Sequence, residues 1–262
     1  MTRTLLPVAL VLSILGMPAS SADAAGCPGN PTALGTARVL AIDPATTAPV
    51  GRKQFPRTLP LAPKELVLTF DDGPWPGTTD RVLAALRQEC VHANFFMLGR
   101  NALAHPALAR RVLAEGHTVG HHTYGHPLLN QMSLARAEAE IDHGFAAVDT
   151  ALYGTAHGAP RTPFFRFPGF AGSADLLSLL ARRRIVVFGA DLWPGDWNPM
   201  TPDQERELLL KRLEQAGGGI VLLHDTQAKT ARMLPGLLRE LKRRDFRVVQ
   251  VVPAGTGGRT AP

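Results

Sequence analysis

From Glu65 to Val252 the chain alternates short apolar runs with longer amphipathic stretches, and this alternation constrains the fold more than any other feature. The apolar runs Leu66–Phe70, His92–Met97, His117–Gly120, Phe164–Arg166, Ile185–Phe188, Ile220–Leu223 and Arg247–Val252 read as buried strands. Between them, Thr79–Gln88, Pro106–Glu115, Ser133–Ala151, Ser173–Ala181, Pro202–Gln215 and Thr230–Arg244 read as helices. Val82, Leu83 and Leu86 fall on one face of the first, Ser133 and Thr201 are N-cap residues, and Pro202 suits a first helical position. Strands separated by helices predict an α/β fold with parallel strands and helices outside, in a single domain because no second core is visible. In such folds functional groups collect at the carboxyl ends of the strands.

The segment before Glu65 has a different character. Arg3 precedes Leu5–Met17, an apolar run too short to span a bilayer comfortably, and Ala22-Asp23-Ala24 supplies a small-residue cleavage site. Residues 1–24 therefore read as a signal peptide; an uncleaved anchor, or a lipoprotein modified at Cys27, are the alternatives. Residues 25–63, rich in Pro, Gly and Thr, read as an extended N-terminal arm, residues 64–253 as the domain and 254–262 as a flexible tail. No later apolar run is long enough for a membrane span, so the mature chain is expected to be periplasmic or secreted. An oxidising compartment favours a disulfide between Cys27 and Cys90, the alternative being two buried thiols. The net charge of +6 is scattered, and Arg182–Arg184 and Lys242–Arg244 read as solvated helix ends, so no nucleic-acid partner is expected.

Five strand ends carry chemically capable groups: Asp71 and Asp72; His121, His122 and His126; Arg166; Asp191, Trp193, Asp196 and Trp197; and His224 and Asp225. His122 and His126 are four residues apart, so one turn or tight loop can aim both at one point. A carboxylate from the first strand end completes a set of two imidazoles and one acid, suited to a divalent ion with positions left open. Of Asp71 and Asp72, one can bind the ion and the other take a proton from water. His117 is expected to hydrogen-bond in the core; His121 reads equally as a support for the site or as a surface residue. Trp75 reads as a rim residue, and Asp225 as a brace for the loop after it. A lone His-x-x-x-His is weak evidence, and its weight here comes from the company it keeps.

These residues resemble the polysaccharide deacetylase family, carbohydrate esterase family four, also called the NodB homology domain. Thr69-Phe70-Asp71-Asp72-Gly73-Pro74 looks like its first motif, His122-Thr123-Tyr124-Gly125-His126-Pro127 like its second, and Arg166-Phe167-Pro168-Gly169-Phe170 is similar to its third. Asp196-Trp197 is similar to the end of the fourth and Leu222-Leu223-His224-Asp225 to the fifth. The resemblance implies a distorted (β/α)7 barrel and metal-dependent removal of acetyl groups from an N-acetylated sugar polymer or oligomer: peptidoglycan, chitooligosaccharide or exopolysaccharide. It implies Asp72, His122 and His126 as ligands, usually of zinc although another divalent transition metal is compatible. It also implies Asp71 as general base oriented by Arg166, His224 as general acid, Leu222 in the acetyl pocket and Trp197 in the groove wall. Phe170 and Trp193 join the candidate sugar-contacting residues, with a packing role as the alternative for both tryptophans. Two departures matter. Gly169 separates Pro168 from the aromatic residue of the third motif, and Trp193 stands where the fourth usually has Asp. Asp191 can replace that Asp, so the partner of His224 is open between Asp191 and Asp196. An O-acetyl esterase of the xylan type, or a silent carbohydrate-binding homologue, are the competing functions.

Overall fold

The computed structural model describes residues 27–156 and 158–255. The expected signal peptide 1–24 and residues 256–262 of the expected tail lie outside the described residues. In chain order the strands are β1 (Thr36–Ile42), β2 (Glu65–Asp71), β3 (Asn94–Met97), β4 (Thr118–His121), β5 (Phe164–Phe165), β6 (Val186–Val187), β7 (Gly219–His224) and β8 (Arg247–Pro253). The helices are α1 (Thr78–Gln88), α2 (Gly99–Ala104), α3 (Pro106–Ala114), α4 (Leu134–Tyr153), α5 (Ala174–Arg182), α6 (Pro202–Ala216) and α7 (Ala228–Arg243). Every strand pair is parallel. The order runs β1-β8-β2-β3-β4-β5-β6, with β7 on β2. The sheet curls without closing: β6 and β7 share no ladder, and a single bridge from Leu192 to Val221 spans the gap.

Strand alternation sorts the side chains. On β2, Leu66, Leu68 and Phe70 join the cluster under the helices, with Val82, Leu83 and Leu86 of α1 and Leu234 and Leu237 of α7. Val67 points the other way, into an interior cluster with Phe96, Phe164, Phe188, Ile220 and Val249. Thr69 and Asp71 share the parity of Val67, so the interior face of β2 ends in a carboxylate. On β7, Val221 and Leu223 pack outward and Ile220 inward, which aligns Leu222 and His224 with Asp71. A third cluster fills the space between α4, α5, β5 and β6, with Ile141, Phe145, Phe165 and Leu180.

Several local expectations translate directly. Thr201 caps α6 through a reciprocal box with Gln204, Pro202 opens the helix, and Gly217 closes it in the left-handed region. Ser173 caps α5 through the amide of Leu176. Ser133 sits at the N-cap of α4, but its side chain makes no cap hydrogen bond. Cys27 and Cys90 form a disulfide with Cα atoms 5.7 Å apart. The segment expected as an extended arm contains β1, an edge strand on β8, and its start is tied to the end of α1 by Asn30, Leu34 and Thr36. Among the described residues no helix is long and apolar enough to cross a membrane.

Candidate active site

The carboxyl ends of β2, β4, β5 and β7 bring one cluster of side chains together. Asp72 leaves β2 with φ 74° and His126 sits at φ 69°, left-handed conformations that side-chain-bearing residues adopt only at an energetic penalty. The turns aim both side chains at His122. Asp72 Oδ1 lies 3.6 Å from His122 Nε2 and 3.5 Å from His126 Nε2. That oxygen is buried and has no hydrogen-bond partner. The three donor atoms lie within 4.8 Å of one another. These separations are long for hydrogen bonds but suit ligands sharing a cation at about 2.0–2.2 Å each. His122 Nδ1 lies 2.8 Å from the carbonyl oxygen of Arg166, and donating to it leaves the Nε2 lone pair facing Asp72. Burial depresses the His122 pKa to about 3, which keeps the ring a neutral donor. The residues therefore fit a divalent ion.

Arg166 links this cluster to Asp71. Its guanidinium is fully buried and donates to Asp71 Oδ1 at 2.6 Å, Thr69 Oγ1 at 2.8 Å and the carbonyl of Gly189 at 2.8 Å, while lying over the Phe96 ring. Its main chain thus orients one imidazole and its side chain orients a carboxylate. Asp71 Oδ2 points towards His122 Nε2, 3.7 Å away. Burial raises the Asp71 pKa above the ordinary carboxylate value, against the opposing pull of Arg166 and His224. Thr69 is a contact that strand parity alone could have supplied, since it lies two residues before Asp71 on one face.

On the opposite side, His224 Nε2 is 3.9 Å from Asp72 Oδ2. Its Nδ1 lies 2.9 Å from Asp196 Oδ1, and its backbone amide donates to Asp196 Oδ2 at 2.7 Å. Burial lowers the His224 pKa, but Asp196, Asp71 and Asp72 outweigh it and raise the value to about 9. The structure corrects the placement of Asp191 beside His224. Its carboxylate accepts from the Arg52 amide, the Thr58 hydroxyl and the Ile220 amide, and so ties the leading segment to β7. Asp191 lies beside the start of β7, where its Cβ stands 2.7 Å from a Cβ built on Gly219, whereas Asp196 reaches the end of that strand.

The candidate sugar-contacting residues form a connected line. Phe170 packs on Trp193 with ring centroids 5.6 Å apart, Trp193 on Trp197 at 6.2 Å, and Trp197 meets His224 edge-on at 5.8 Å. Gly169 and Phe170 both adopt positive φ, so the inserted glycine belongs to a tight turn that delivers Phe170 to this line. Leu222 is buried on the inward face of β7, two residues before His224. Trp75, half-exposed, lines a cleft of about 650 Å³ that also includes Asp72, His126, Arg100 and Asn101. Asn101 donates to the Asp72 carbonyl at 2.7 Å, a support sequence reasoning missed because α2 is too short to show a period. Asp225 is a buried brace: it accepts from Thr79 Oγ1 at 2.5 Å and lies so close to Gly73 that a Cβ there would be 2.1 Å from its Oδ2. His121 is buried against Phe145, and His117 accepts from the Ala93 amide in the core.

Comparison with known proteins places this geometry. The polysaccharide deacetylase family model matches residues 59–185. The chain is 31% identical over 190 residues to a peptidoglycan-N-acetylmuramic acid deacetylase of Bacillus subtilis, covering 72% of this chain and 38% of that protein. It is 32% identical over 199 residues to a chitooligosaccharide deacetylase of Bradyrhizobium, covering 71% of this chain and 88% of the relative. A solved peptidoglycan deacetylase of Bdellovibrio bacteriovorus superposes with a TM-score of 0.74 at 31% identity, over 85% of this chain and 60% of that one. The chain thus spans well under two thirds of the Bacillus protein and somewhat under two thirds of the Bdellovibrio chain, but most of the Bradyrhizobium enzyme. With the five motifs gathered at one end of a parallel α/β sheet and a relative matched over most of its length, the chain belongs to the polysaccharide deacetylase family.

Proposed function

We propose that this protein is an exported, metal-dependent hydrolase that removes acetyl groups from an N-acetylglucosamine-containing polysaccharide or oligosaccharide. The reading rests on one observation: Asp72, His122 and His126 converge on a point flanked on one side by Asp71 with Arg166 and on the other by His224 with Asp196. The donor set of two imidazole nitrogens and one carboxylate oxygen favours zinc or a similar divalent transition metal. Such an ion, when bound, supplies Lewis acidity that polarises an amide carbonyl and acidifies water.

The chain's own groups divide the remaining work. Asp71 accepts a proton from the attacking water, and its raised pKa makes it a better base than an ordinary carboxylate. Arg166 keeps that carboxylate aimed and compensates its buried charge. His224, cationic at neutral pH, gives its Nε2 proton to the departing amine nitrogen as the C–N bond breaks and acetate forms. Leu222 receives the acetyl methyl group, and Phe170, Trp193 and Trp197 form a wall against which a sugar ring stacks. The disulfide and the apolar leader agree with export to the periplasm or beyond.

The test is mass spectrometry of products after incubating zinc-loaded protein with peptidoglycan fragments, chitooligosaccharides, poly-N-acetylglucosamine and acetylxylan. The expected result is loss of one acetyl group per modified glucosamine, abolished by chelator and restored by zinc. Activity confined to acetylxylan, or unaffected by chelation, would overturn the reading.

A further inference from the structure

Behind His224 and Asp196 lies a carboxyl group that the chemistry above does not use. Glu205, in the first turn of α6, and Thr230, in the first turn of α7, are both fully buried, as is Asp196. Thr230 Oγ1 lies 2.8 Å from Glu205 Oε1 and 3.1 Å from Asp196 Oδ2. Glu205 Oε2 is buried with no partner. A hydroxyl carries one proton, so it cannot donate to two carboxylates at once. With both acids ionised, one of these short oxygen–oxygen contacts would set lone pairs against each other, and a bare carboxylate oxygen would stand in the core.

We propose that Glu205 is held as the neutral carboxylic acid and is a positioning residue for the acid half of the site, donating to Thr230 so that Thr230 donates to Asp196. The inference rests on the reading of His224 as general acid. In this arrangement every proton is used. Glu205 Oε1–H donates to Thr230 Oγ1, and Thr230 donates to Asp196 Oδ2. Asp196 stays ionised and accepts from Thr230 and from both the amide and the ring of His224. The leftover Oε2 is then the oxygen of a neutral acid, which is far less costly to bury unpaired than a carboxylate oxygen. The titratable groups facing Glu205 are Asp196 from the loop before α6, His224 from the end of β7 and Lys229 from α7; Asp203 on its own helix pairs with Arg206. Burial raises the Glu205 pKa to about 7, in line with the hydrogen-bond count. Without the Glu205 proton holding its lone pair, the Thr230 hydroxyl is free to rotate away from Asp196, which then loses one of its tethers.

The experiment combines infrared spectroscopy with kinetics on the full mature chain. In a difference spectrum of wild type minus Glu205→Gln near pH 6, a protonated-carboxyl carbonyl band is expected; Asp225, also buried, cancels in the subtraction. Glu205→Leu and Thr230→Val should each lower kcat about tenfold with KM unchanged, the size of one hydrogen bond to a charged group, and Glu205→Gln should restore most of the loss because its amide still donates to Thr230. Absence of the band overturns the proposal. So does a Leu variant, or a folded Thr230→Val variant if Leu fails to fold, that turns over at the wild-type rate, or a Gln variant as slow as Leu. If wild type itself removes no acetyl group, the proposed function fails, and the infrared band alone decides whether Glu205 carries the proton.

Discussion

The two flanks of the site hold charge by different means. On the Asp71 flank the partner is an arginine, permanently charged and fixed by contacts to Asp71, Thr69, Gly189 and, through its Nε at 3.3 Å, the Phe188 carbonyl. On the His224 flank the charge resides on an imidazole, which under the proposed function loses and regains its proton in every turnover, and it is steadied by a carboxylate. A base that accepts a proton from water gains from a fixed counter-charge. An acid that gives one up needs a partner that tolerates both of its states, and Asp196, which accepts from the His224 amide as well as meeting its ring, is placed to be that partner in the proposed reaction.

Removing the reacting group on either flank should have the largest effect. Asp71→Asn and His224→Ala are each expected to lower kcat by about 10²–10⁴-fold while zinc content, measured by atomic spectroscopy, stays near one per chain. His126→Ala breaks the comparison differently, since it should lose the ion and the activity together. An Asp71→Asn enzyme of near-normal rate would end the assignment of the base. Next in size, Arg166→Met leaves Asp71 buried without its counter-charge. The expected loss is about 3–5 kcal/mol of stability in urea unfolding, larger than for any truncation of the half-exposed Trp197.

The reversible flank should respond to pH. A His224 pKa of about 9 predicts that kcat falls as pH rises through that value or somewhat below it, because a bound cation nearby favours the neutral ring. Asp196→Asn removes the main charge holding the proton and should move this alkaline limb down by about 1–2 units. A limb that stays in place would mean that the profile reports another group.

Much of this site was legible because strand parity and motif spacing carry information locally. Asp71, His122, Arg166 and His224 all follow apolar runs, and the alternation that buries Val67 and Ile220 is the one that turns Asp71 and His224 inward. What escaped lay in three-dimensional pairing. The segment before Glu65 looks like a linker because Pro, Gly and Thr dominate it; the apolar run Val39–Ile42 belongs to an edge strand in which only Ile42 is fully buried, so its pairing with β8 is invisible in the composition. The α2 helix has six residues, begins at a glycine and has no side-chain cap, so neither period nor punctuation announces it. The Leu192–Val221 bridge, which spans the open side of the curled sheet, joins residues with no shared pattern.

A histidine in the core offers a smaller, separable pH effect. His117 is buried with its pKa depressed to about 3 from an unfolded value near 6.5, desolvation being the main cause. Between those values the unfolded chain binds a proton that the native chain does not, so stability falls as pH drops from about 6.5 towards 3 and is flat above. The slope is at most about 1.4 kcal/mol per pH unit for this group. His117→Asn keeps an acceptor for the Ala93 amide and should flatten that part of the urea-midpoint profile below pH 6 while leaving the alkaline limb of kcat alone.

The smallest effect on turnover is expected where sequence reasoning left two residues in competition. Asp191 and Asp196 lie five residues apart in one loop, yet one ties the leading segment to β7 and the other holds His224. Asp191→Asn puts an amide N–H where the carboxylate met the Thr58 hydroxyl and the Ile220 amide, or where it met the Arg52 amide. Either orientation sets donor against donor, and about 1–2 kcal/mol of stability should be lost. The pH profile of kcat should not move, because none of the Asp191 contacts reaches the imidazole. Asp196→Asn should show the reverse, a displaced profile with a modest change in stability. If both variants displaced the profile equally, the field at His224 would be a property of the whole loop, and the division of labour between the two carboxylates would fail.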